Sequence, residues 1–328
     1  MKCLSKVSIS AVVLCLSACS SLGSGTQLRR AMTGAWSTEQ GDITLLIEGK
    51  RCVQAQDAAQ MLFQVQFNET RALRTQSYLG QPVPGGMEMD GAELILVDPV
   101  AGQDHRFQRL ASTPESVMIE PFALGTAATS AAERERVARN LAQREMHGRG
   151  LRRSIEDSLD TARLTGRLNS YGEQIEFMAS PKMVNLRDQL VANDASNSVH
   201  IEALLRQRGW IGKAEYGEQA QLAAFNMVRF GGNLRTMRSV LPALKQELES
   251  DPSLGYLYTL LYDSTQLSLG EKQLYGTLLL PDMDGRMRLR RVAKKSSLDR
   301  RRKEMGLPPI REFLANFEQQ FGTIRIED

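Results

Sequence analysis

Cysteine and histidine are scarce in this chain of 328 residues, which has four of the first and three of the second. Cys3, Cys15 and Cys19 lie within the first 19 residues, so Cys52 stands alone in the rest of the chain. If cleavage before Cys19 removes Cys3 and Cys15 and a lipid occupies Cys19, as the N-terminal pattern below indicates, Cys52 is the one free thiol and cannot form an intrachain disulfide. The scattered histidines lack the spacing of a metal site. We therefore expect no disulfide and no metal centre, and Cys52 is interpreted as a small buried apolar residue.

The chain also lacks the short motifs of the common enzyme classes. It contains no Walker loop, no dinucleotide-binding glycine fingerprint, no nucleophile elbow and no His-Glu-x-x-His. The sequence therefore indicates no cofactor. Its net charge of +3 is too small to indicate a partner, and its length allows two domains.

The N-terminus has the pattern of an export signal. Lys2 and Lys6 precede residues 7–18, which carry no charge and are too short to span a membrane, since a spanning helix takes ~20 residues. Residues 16–19, Leu-Ser-Ala-Cys, resemble the lipobox of bacterial lipoproteins, in which the signal is cut before a cysteine that becomes acylated. The alternative is an ordinary secretory signal, 1–18, in which the cysteine is incidental.

The lipobox resemblance implies a lipid on Cys19 and a tether over residues 19–31. In Gram-negative lipoproteins an Asp after the cysteine retains the protein at the inner membrane. Ser20 therefore implies the outer membrane, and we expect the periplasmic face.

Residues 32–122 have the pattern of short antiparallel strands. Phe63, Val65 and Phe67 alternate with glutamines, and Gly and Asp turn signals recur at close intervals. The pattern predicts a small antiparallel β-barrel or sandwich. Gly34-Ala35-Trp36 resembles the opening of lipocalin-like barrels, which implies a Trp plug at the closed end. A core Trp in any small β-domain is the alternative, and a ligand inside the barrel is left open.

The remainder of the chain has a helical period. Residues 123–132 are small and polar and predict a linker. Ser130 and Glu133 have capping-box spacing, and Gly148 and Gly150 predict the end of the first helix. Further helices are predicted over 151–162, 183–192, 199–208, 218–229, 234–248 with a kink or break before Pro242, 254–267, 296–306 and 310–320. Two short strands around Asp284-Gly285 predict a β-hairpin. The expected fold class is thus α+β, a small β-domain followed by a mostly α-helical domain over 133–328.

Three motifs in the C-terminal half resemble those of a bacterial family known only as a domain of unknown function. They are Gly209-Trp210, Gln273-Leu274-Tyr275-Gly276-Thr277, and Arg301-Arg302 with Gly306-Leu307. The resemblance covers about residues 185–317 and implies a mostly helical domain. Val228-Arg229-Phe230 stands where the family has a Gln-His pair, and Leu278 replaces a Gln. The family implies no activity.

A polar cluster around these motifs is the candidate site. A hairpin that folds back on helices could bring its members together, and a carboxylate there could act as a general base. The candidate catalytic residues are Asp263, Tyr275 and Arg301, and the candidate ligand-binding residues are Trp210, Gln273 and Thr277. The alternative is structural: Asp263 pairs with an arginine, and Tyr275 packs with its hydroxyl hydrogen-bonded.

Residues 286–303 carry ten basic side chains and one acid, Asp299. Arg286, Arg288 and Arg290 alternate with apolar residues, which predicts one positive strand face. An exported lipoprotein rarely meets nucleic acid, so anionic lipid or lipopolysaccharide head groups are the expected partners of this face. A solvated, partly paired surface is the alternative.

The sequence therefore predicts a lipid-anchored protein of the cell envelope, with a binding or scaffolding role towards an unidentified envelope protein. The alternative is a hydrolase-like enzyme or small-ligand-binding domain that uses Asp263, Tyr275 and Arg301.

Cys19→Ser should abolish acylation, because the thiol that accepts the lipid is replaced. Metabolic labelling with a radioactive fatty acid measures this directly, and Cys52→Ser is the matched control that should keep the label. Label retained on the Cys19→Ser chain would refute the lipobox assignment.

Overall fold

The computed structural model describes residues 25–68, 70–76, 81–82, 85–97, 104–166, 171–281, 287–321 and 324–326. The export signal, Cys19, Asp284-Gly285 and Arg286 lie outside the described residues. The chain forms two compact units. The first comprises the described residues within Met1–Gln54, Phe63–Gln76 and Gly80–Pro114, and the second those within Ala55–Leu62, Ser77–Leu79 and Glu115–Asp328.

The N-terminal part of the chain is a closed antiparallel β-barrel of eight strands. The described residues of this part form nine strands, of which eight make the ring: β1 (Gly34–Thr38), β2 (Ile43–Glu48), β3 (Arg51–Gln56), β4 (Ala59–Phe67), β5 (Arg71–Gln76), β6 (Gln81–Pro82), β7 (Gly86–Asp90), β8 (Glu93–Val97) and β9 (His105–Arg109). The order β4-β3-β2-β1-β9-β8-β7-β5 closes through pairing of β4 with β5, and the two-residue β6 pairs with β5 outside the ring. Because the sheet closes on itself, it has no long unpaired edge strand. Of the two predicted architectures, a barrel or a sandwich, the structure shows the barrel.

The side-chain alternation predicted for β4 is confirmed. Phe63 and Val65 are buried, whereas Gln64 and Gln66 are exposed. The buried face of β4 thus contributes Phe63 and Val65 to the apolar barrel core.

Trp36 is fully buried in β1. Its indole Nε1 donates to the Met32 carbonyl at 2.8 Å, at the end of helix α1 (Thr26–Met32). The Arg109 guanidinium of β9 lies 4.3 Å from the indole centroid and donates to the Thr33 carbonyl at 2.6 Å. These contacts join α1, β1 and β9.

Cys52 of β3 is buried, as predicted. Burial raises the pKa of its thiol to about 12, an effect that the charge of nearby Arg74 partly offsets. Arg74 is itself buried, donates to Gln54 Oε1 at 2.8 Å and lies 4.7 Å from the Phe63 ring centroid. The thiol is therefore protonated and shielded.

The second unit is mostly helical. Its helices are α2 (Ala131–Leu164), α3 (Tyr171–Met178), α4 (Pro181–Arg208), α5 (Lys213–Tyr216), α6 (Glu218–Phe230), α7 (Leu234–Ser250), α8 (Gly255–Ser268), α9 (Leu298–Glu304) and α10 (Ile310–Phe321). Helices α2, α4, α5, α6, α7 and α8 share one apolar core, in which Leu141, Ile201, Phe225, Val240 and Leu261 are buried. A second, smaller apolar cluster contains Leu298 of α9, with Ile310 of α10 packed against it. Among the described residues no helix is both long and apolar enough to cross a membrane.

Two predicted helix ends are wrong. Helix α2 continues through Gly148 and Gly150, and α4 joins two predicted short helices. Helix α7 continues past Pro242, which excludes a break there. Gly148 is buried, and a Cβ on it would lie 2.7 Å from Asn193 Nδ2, so this glycine permits close approach of α2 and α4. It serves packing, and it lacks the left-handed conformation of a helix-terminating glycine.

The predicted linker is hydrogen-bonded to α4. Gly125 N–H donates to the Leu205 carbonyl at 2.9 Å, and a Cβ on Gly125 would lie 2.3 Å from the Arg206 carbonyl oxygen. Only glycine allows this approach. Downstream, the Glu133 N–H donates to Ser130 Oγ at 3.3 Å, which is one half of the predicted capping box.

The predicted C-terminal hairpin has its two strands. Strand β10 (Leu279–Pro281) pairs antiparallel with β11 (Met287–Leu289). A third strand, β12 (Arg325–Ile326), which the sequence did not predict, pairs parallel with β11. The hairpin thus belongs to a small three-stranded sheet.

Candidate functional site

Asp263 lies on the buried face of α8, and its side chain has no solvent exposure. Its Oδ1 accepts from the backbone N–H groups of Leu274 at 2.7 Å and Tyr275 at 3.1 Å. Its Oδ2 accepts from the Thr277 N–H at 3.0 Å and from the Thr277 hydroxyl at 2.9 Å. One carboxylate therefore binds the loop of residues 274–277, which we call the carboxylate loop.

Gly276 gives the carboxylate loop its shape. Its φ of +64° is left-handed, a conformation that glycine adopts at no steric cost. A Cβ there would lie 3.4 Å from Ile310 Cδ1 and 3.5 Å from Val292 Cγ2. The turn directs the neighbouring N–H groups towards Asp263, in the manner of an anion-binding concavity.

Gln273 holds the start of the same loop and is fully buried. Its Nε2 donates to the carbonyls of Leu278 and Arg290, both at 3.1 Å, and its Oε1 accepts from the Leu278 N–H at 2.8 Å. Its backbone N–H donates to the Arg291 carbonyl, and its backbone carbonyl accepts from the Ala293 N–H. The amide is thus engaged with the chain's own backbone.

Arg301 binds backbone carbonyl oxygens around the loop. Its Nε donates to the Leu274 carbonyl at 2.8 Å, Nη2 to Ala293 at 2.6 Å, and Nη1 to Ser297 Oγ at 2.6 Å. The sequence placed Arg301 beside Asp263 as a chemical partner. In the structure, Arg301 donates to the carbonyl of Leu274. The N–H of the same Leu274 donates to the Asp263 carboxylate, so the two charged side chains bind one peptide residue from opposite sides.

Arg302 was predicted as a member of the basic segment and of the Arg-Arg motif, without a role in the site, yet it is 1% exposed. Its Nη1 donates to the Tyr275 carbonyl at 2.8 Å and its Nε to Pro308 at 2.7 Å, and its guanidinium lies 4.7 Å from the Phe313 ring centroid. Burial lowers its pKa, and the charges of nearby carboxylates oppose this. The Arg-Arg spacing was the sequence signal for this residue.

Tyr275 packs into a group of three tyrosine rings. Its centroid lies 5.7 Å from Tyr262 and 6.4 Å from Tyr258, both edge-on. Burial raises the pKa of Tyr275. Edge-to-face packing of this kind stabilises aromatic cores.

Burial also raises the pKa of Asp263, and the N–H groups of Thr277, Tyr275 and Leu274 offset part of that increase. The structure thus brings together five of the six predicted residues: Asp263, Gln273, Tyr275, Thr277 and Arg301. The partners of the carboxylate are N–H groups and one hydroxyl. The arginine that the structural alternative predicted binds carbonyls instead.

Trp210 lies in a different hydrogen-bond network. Its Nε1 donates to Glu247 Oε2 at 2.7 Å, and the same carboxylate accepts from Gln221 Nε2 at 2.7 Å and the Lys213 N–H at 2.9 Å. Sequence reasoning missed Glu247. In the described part of the chain no three His, Cys, Asp or Glu side chains converge as metal ligands.

Only some of the described residues in the basic segment, 286–303, are exposed to solvent. Arg290 is 5% exposed, so it does not join the solvent-facing positive strand face that the alternation predicts. Among the described residues of the segment, the exposed cations are Lys294, Lys295, Arg300 and Lys303.

Asp263→Ala should destabilise the second unit severely, because it leaves three N–H groups, those of buried Tyr275 and Thr277 and of half-buried Leu274, without their acceptor. At roughly 1–3 kcal/mol for each such group, the expected loss is at least about 3 kcal/mol. Urea unfolding followed by circular dichroism at a helical wavelength measures it, with the exposed neighbour Glu271→Gln as control. Equal midpoints for the two variants would show that the carboxylate does not hold the loop.

Residues 174–325 match a family of unknown function, DUF6624. No curated protein and no solved structure matches the chain. The matched region contains α8, the carboxylate loop, both strands of the hairpin and α9, so the C-terminal part of this chain is similar to a domain whose function is not known.

Proposed function

We propose that this chain is a lipid-anchored protein of the bacterial envelope, held by Cys19 on the periplasmic face of the outer membrane. Its helical unit serves as a binding or scaffolding module. The charged n-region, the short apolar segment and the Leu-Ser-Ala-Cys sequence support the anchor, and Ser20 supports the choice of membrane.

The bonding of Asp263 is the observation that carries the non-catalytic role. Both carboxylate oxygens accept from the carboxylate loop, and the side chain has no exposed surface. A general base must come within hydrogen-bond reach of a substrate proton. To reach a substrate, Asp263 would first have to break its hydrogen bonds to three N–H groups. Arg301 would have to break its hydrogen bonds to three backbone carbonyl groups. This favours a binding module over the hydrolase-like alternative.

Anionic head groups are the proposed membrane partner of the exposed cations at positions 294, 295, 300 and 303. A lipid on Cys19 would hold the chain near the membrane surface, where basic residues attract phosphates within a Debye length. Phospholipid and lipopolysaccharide phosphates share this chemistry.

Ser20→Asp should move the acylated chain from the outer to the inner membrane, because Asp after the lipidated cysteine retains lipoproteins there. Separation of the two membranes on a density gradient measures the shift. Ser21→Asp adds the same charge one residue later and should remain in the outer membrane. An unmodified chain that fractionates with soluble periplasmic protein would contradict the anchor.

A chain that begins at Ser20 keeps every described residue and should bind phosphatidylglycerol vesicles, more weakly as salt increases. Replacing Lys294, Lys295 and Lys303 by Ser should weaken binding by roughly a hundredfold, because each basic residue near an anionic surface contributes about 1 kcal/mol. Vesicle sedimentation measures it.

The matched control removes three exposed lysines elsewhere, Lys50, Lys182 and Lys245, and so lowers the net charge equally. If both triple variants lose the same affinity, net charge alone governs binding and the segment has no special role. Vesicles that carry lipopolysaccharide in place of phosphatidylglycerol identify the phosphate source.

A further inference from the structure

A groove of about 340 Å³ opens on the second unit, away from the carboxylate loop. The 3-10 turn Glu115–Val117, helix α4 and the start of α7 supply its walls. Two guanidinium groups, Arg206 and Arg235, line it beside the small apolar side chains of Val199 and Ala203. We call it the arginine groove.

A carboxylate of the chain itself occupies the arginine groove. Glu115 Oε1 accepts from Arg206 Nη2 at 2.7 Å and also from Arg235 Nη1. The hydrogen bond from Arg235, together with the charges of both arginines, lowers the pKa of Glu115, so the group is ionised at neutral pH. Its side chain is nevertheless 63% exposed, because it enters from the solvent side.

Other contacts hold both arginines in place. Arg206 donates through Nε and Nη2 to Glu202 at 2.9 and 2.7 Å, and its guanidinium lies 4.1 Å from the Phe122 centroid. Arg235 is 13% exposed, and its Nε donates to the Glu120 carbonyl at 2.9 Å. The two guanidinium groups are therefore positioned without the carboxylate between them.

The turn that carries Glu115 is anchored through its backbone. Gln60 Nε2 donates to the carbonyls of Ser116 at 2.6 Å and Met118 at 2.8 Å, and Val117 is fully buried. Rotation of the Glu115 side chain into solvent thus breaks its bonds to the two arginines and leaves the turn unchanged.

We propose that the arginine groove binds a carboxylate group of a ligand, and that Glu115 is an internal competitor for the same position. Once Glu115 rotates out, Glu202 balances one of the two guanidinium charges, and the other selects an anion. Planar guanidinium groups match carboxylate geometry.

The small apolar wall fits a carboxylate on a small apolar body. The C-terminal residue of a peptide has this chemistry, as does a free short-chain carboxylate. The inference rests on the proposed binding role of the helical unit and gives that role a ligand class.

Titration calorimetry on the acylated full chain in detergent tests the inference, with N-acetyl-dialanine as probe. Glu115→Ala should bind the probe about tenfold more tightly than the unmodified chain, because the ligand no longer displaces an internal carboxylate. The C-terminal amide of the probe should not bind. Butyrate that binds as tightly as the peptide indicates a free carboxylate as ligand, and a tighter peptide indicates a C-terminus.

Glu120→Ala is the matched control. It removes the same charge from the same segment, but its carboxylate is exposed and lies 3.5 Å from Arg238, outside the groove. It should bind like the unmodified chain, and Arg235→Gln added to Glu115→Ala should abolish the gain. Equal affinity of Glu115→Ala and Glu120→Ala, or equal binding of the amide, would overturn the proposal. Membrane sorting, which Ser20→Asp tests, would be unaffected by either result.

Discussion

The buried carboxylate of Asp263 is the interaction on which the C-terminal part of the second unit depends. The carboxylate loop forms no regular sheet or helix, so its N–H groups need acceptors and its carbonyls need donors. Asp263 accepts from three N–H groups, while Arg301 and Arg302 donate to the carbonyls of Leu274 and Tyr275. The negative Asp263 of α8 thus binds the N–H groups of the loop, and the positive Arg301 and Arg302 of α9 bind its carbonyl groups. The loop therefore joins α8 to α9.

This arrangement separates two kinds of polar group in the second unit. Around the carboxylate loop, Asp263, Gln273, Arg301 and Arg302 bind mostly the chain's own backbone, and Asp263, Gln273 and Arg302 are buried. In the arginine groove, the guanidinium groups bind a side chain that is largely exposed and carried on an independently anchored turn. Replacing Glu115 by an external carboxylate therefore costs less free energy than replacing a partner of Asp263. For this reason we assign ligand binding to the arginine groove and structural support to Asp263.

The sequence predicts those features that depend on local pattern. Alternation at Phe63 and Val65 indicated the barrel, and motif spacing grouped Asp263 with Tyr275, Thr277 and Arg301. It does not predict features that depend on tertiary contacts. From the sequence, Gly148 predicts a helix end, because its packing against Asn193 is visible only in the folded chain. The backbone N–H groups that bind Asp263 cannot be predicted either, because every residue except proline has such a group. For the same reason the burial of Arg290 and the role of Glu115 were not predicted.

Native-state amide hydrogen exchange at Leu274, Tyr275 and Thr277 tests the central claim most directly. These three N–H groups lie in a loop without regular secondary structure, and Asp263 is the acceptor that binds them. If the carboxylate holds the loop, they exchange only when the second unit unfolds, with the same opening free energy as the most protected amides of α8. Exchange at the rate of an exposed loop, while α8 stays protected, would contradict the account.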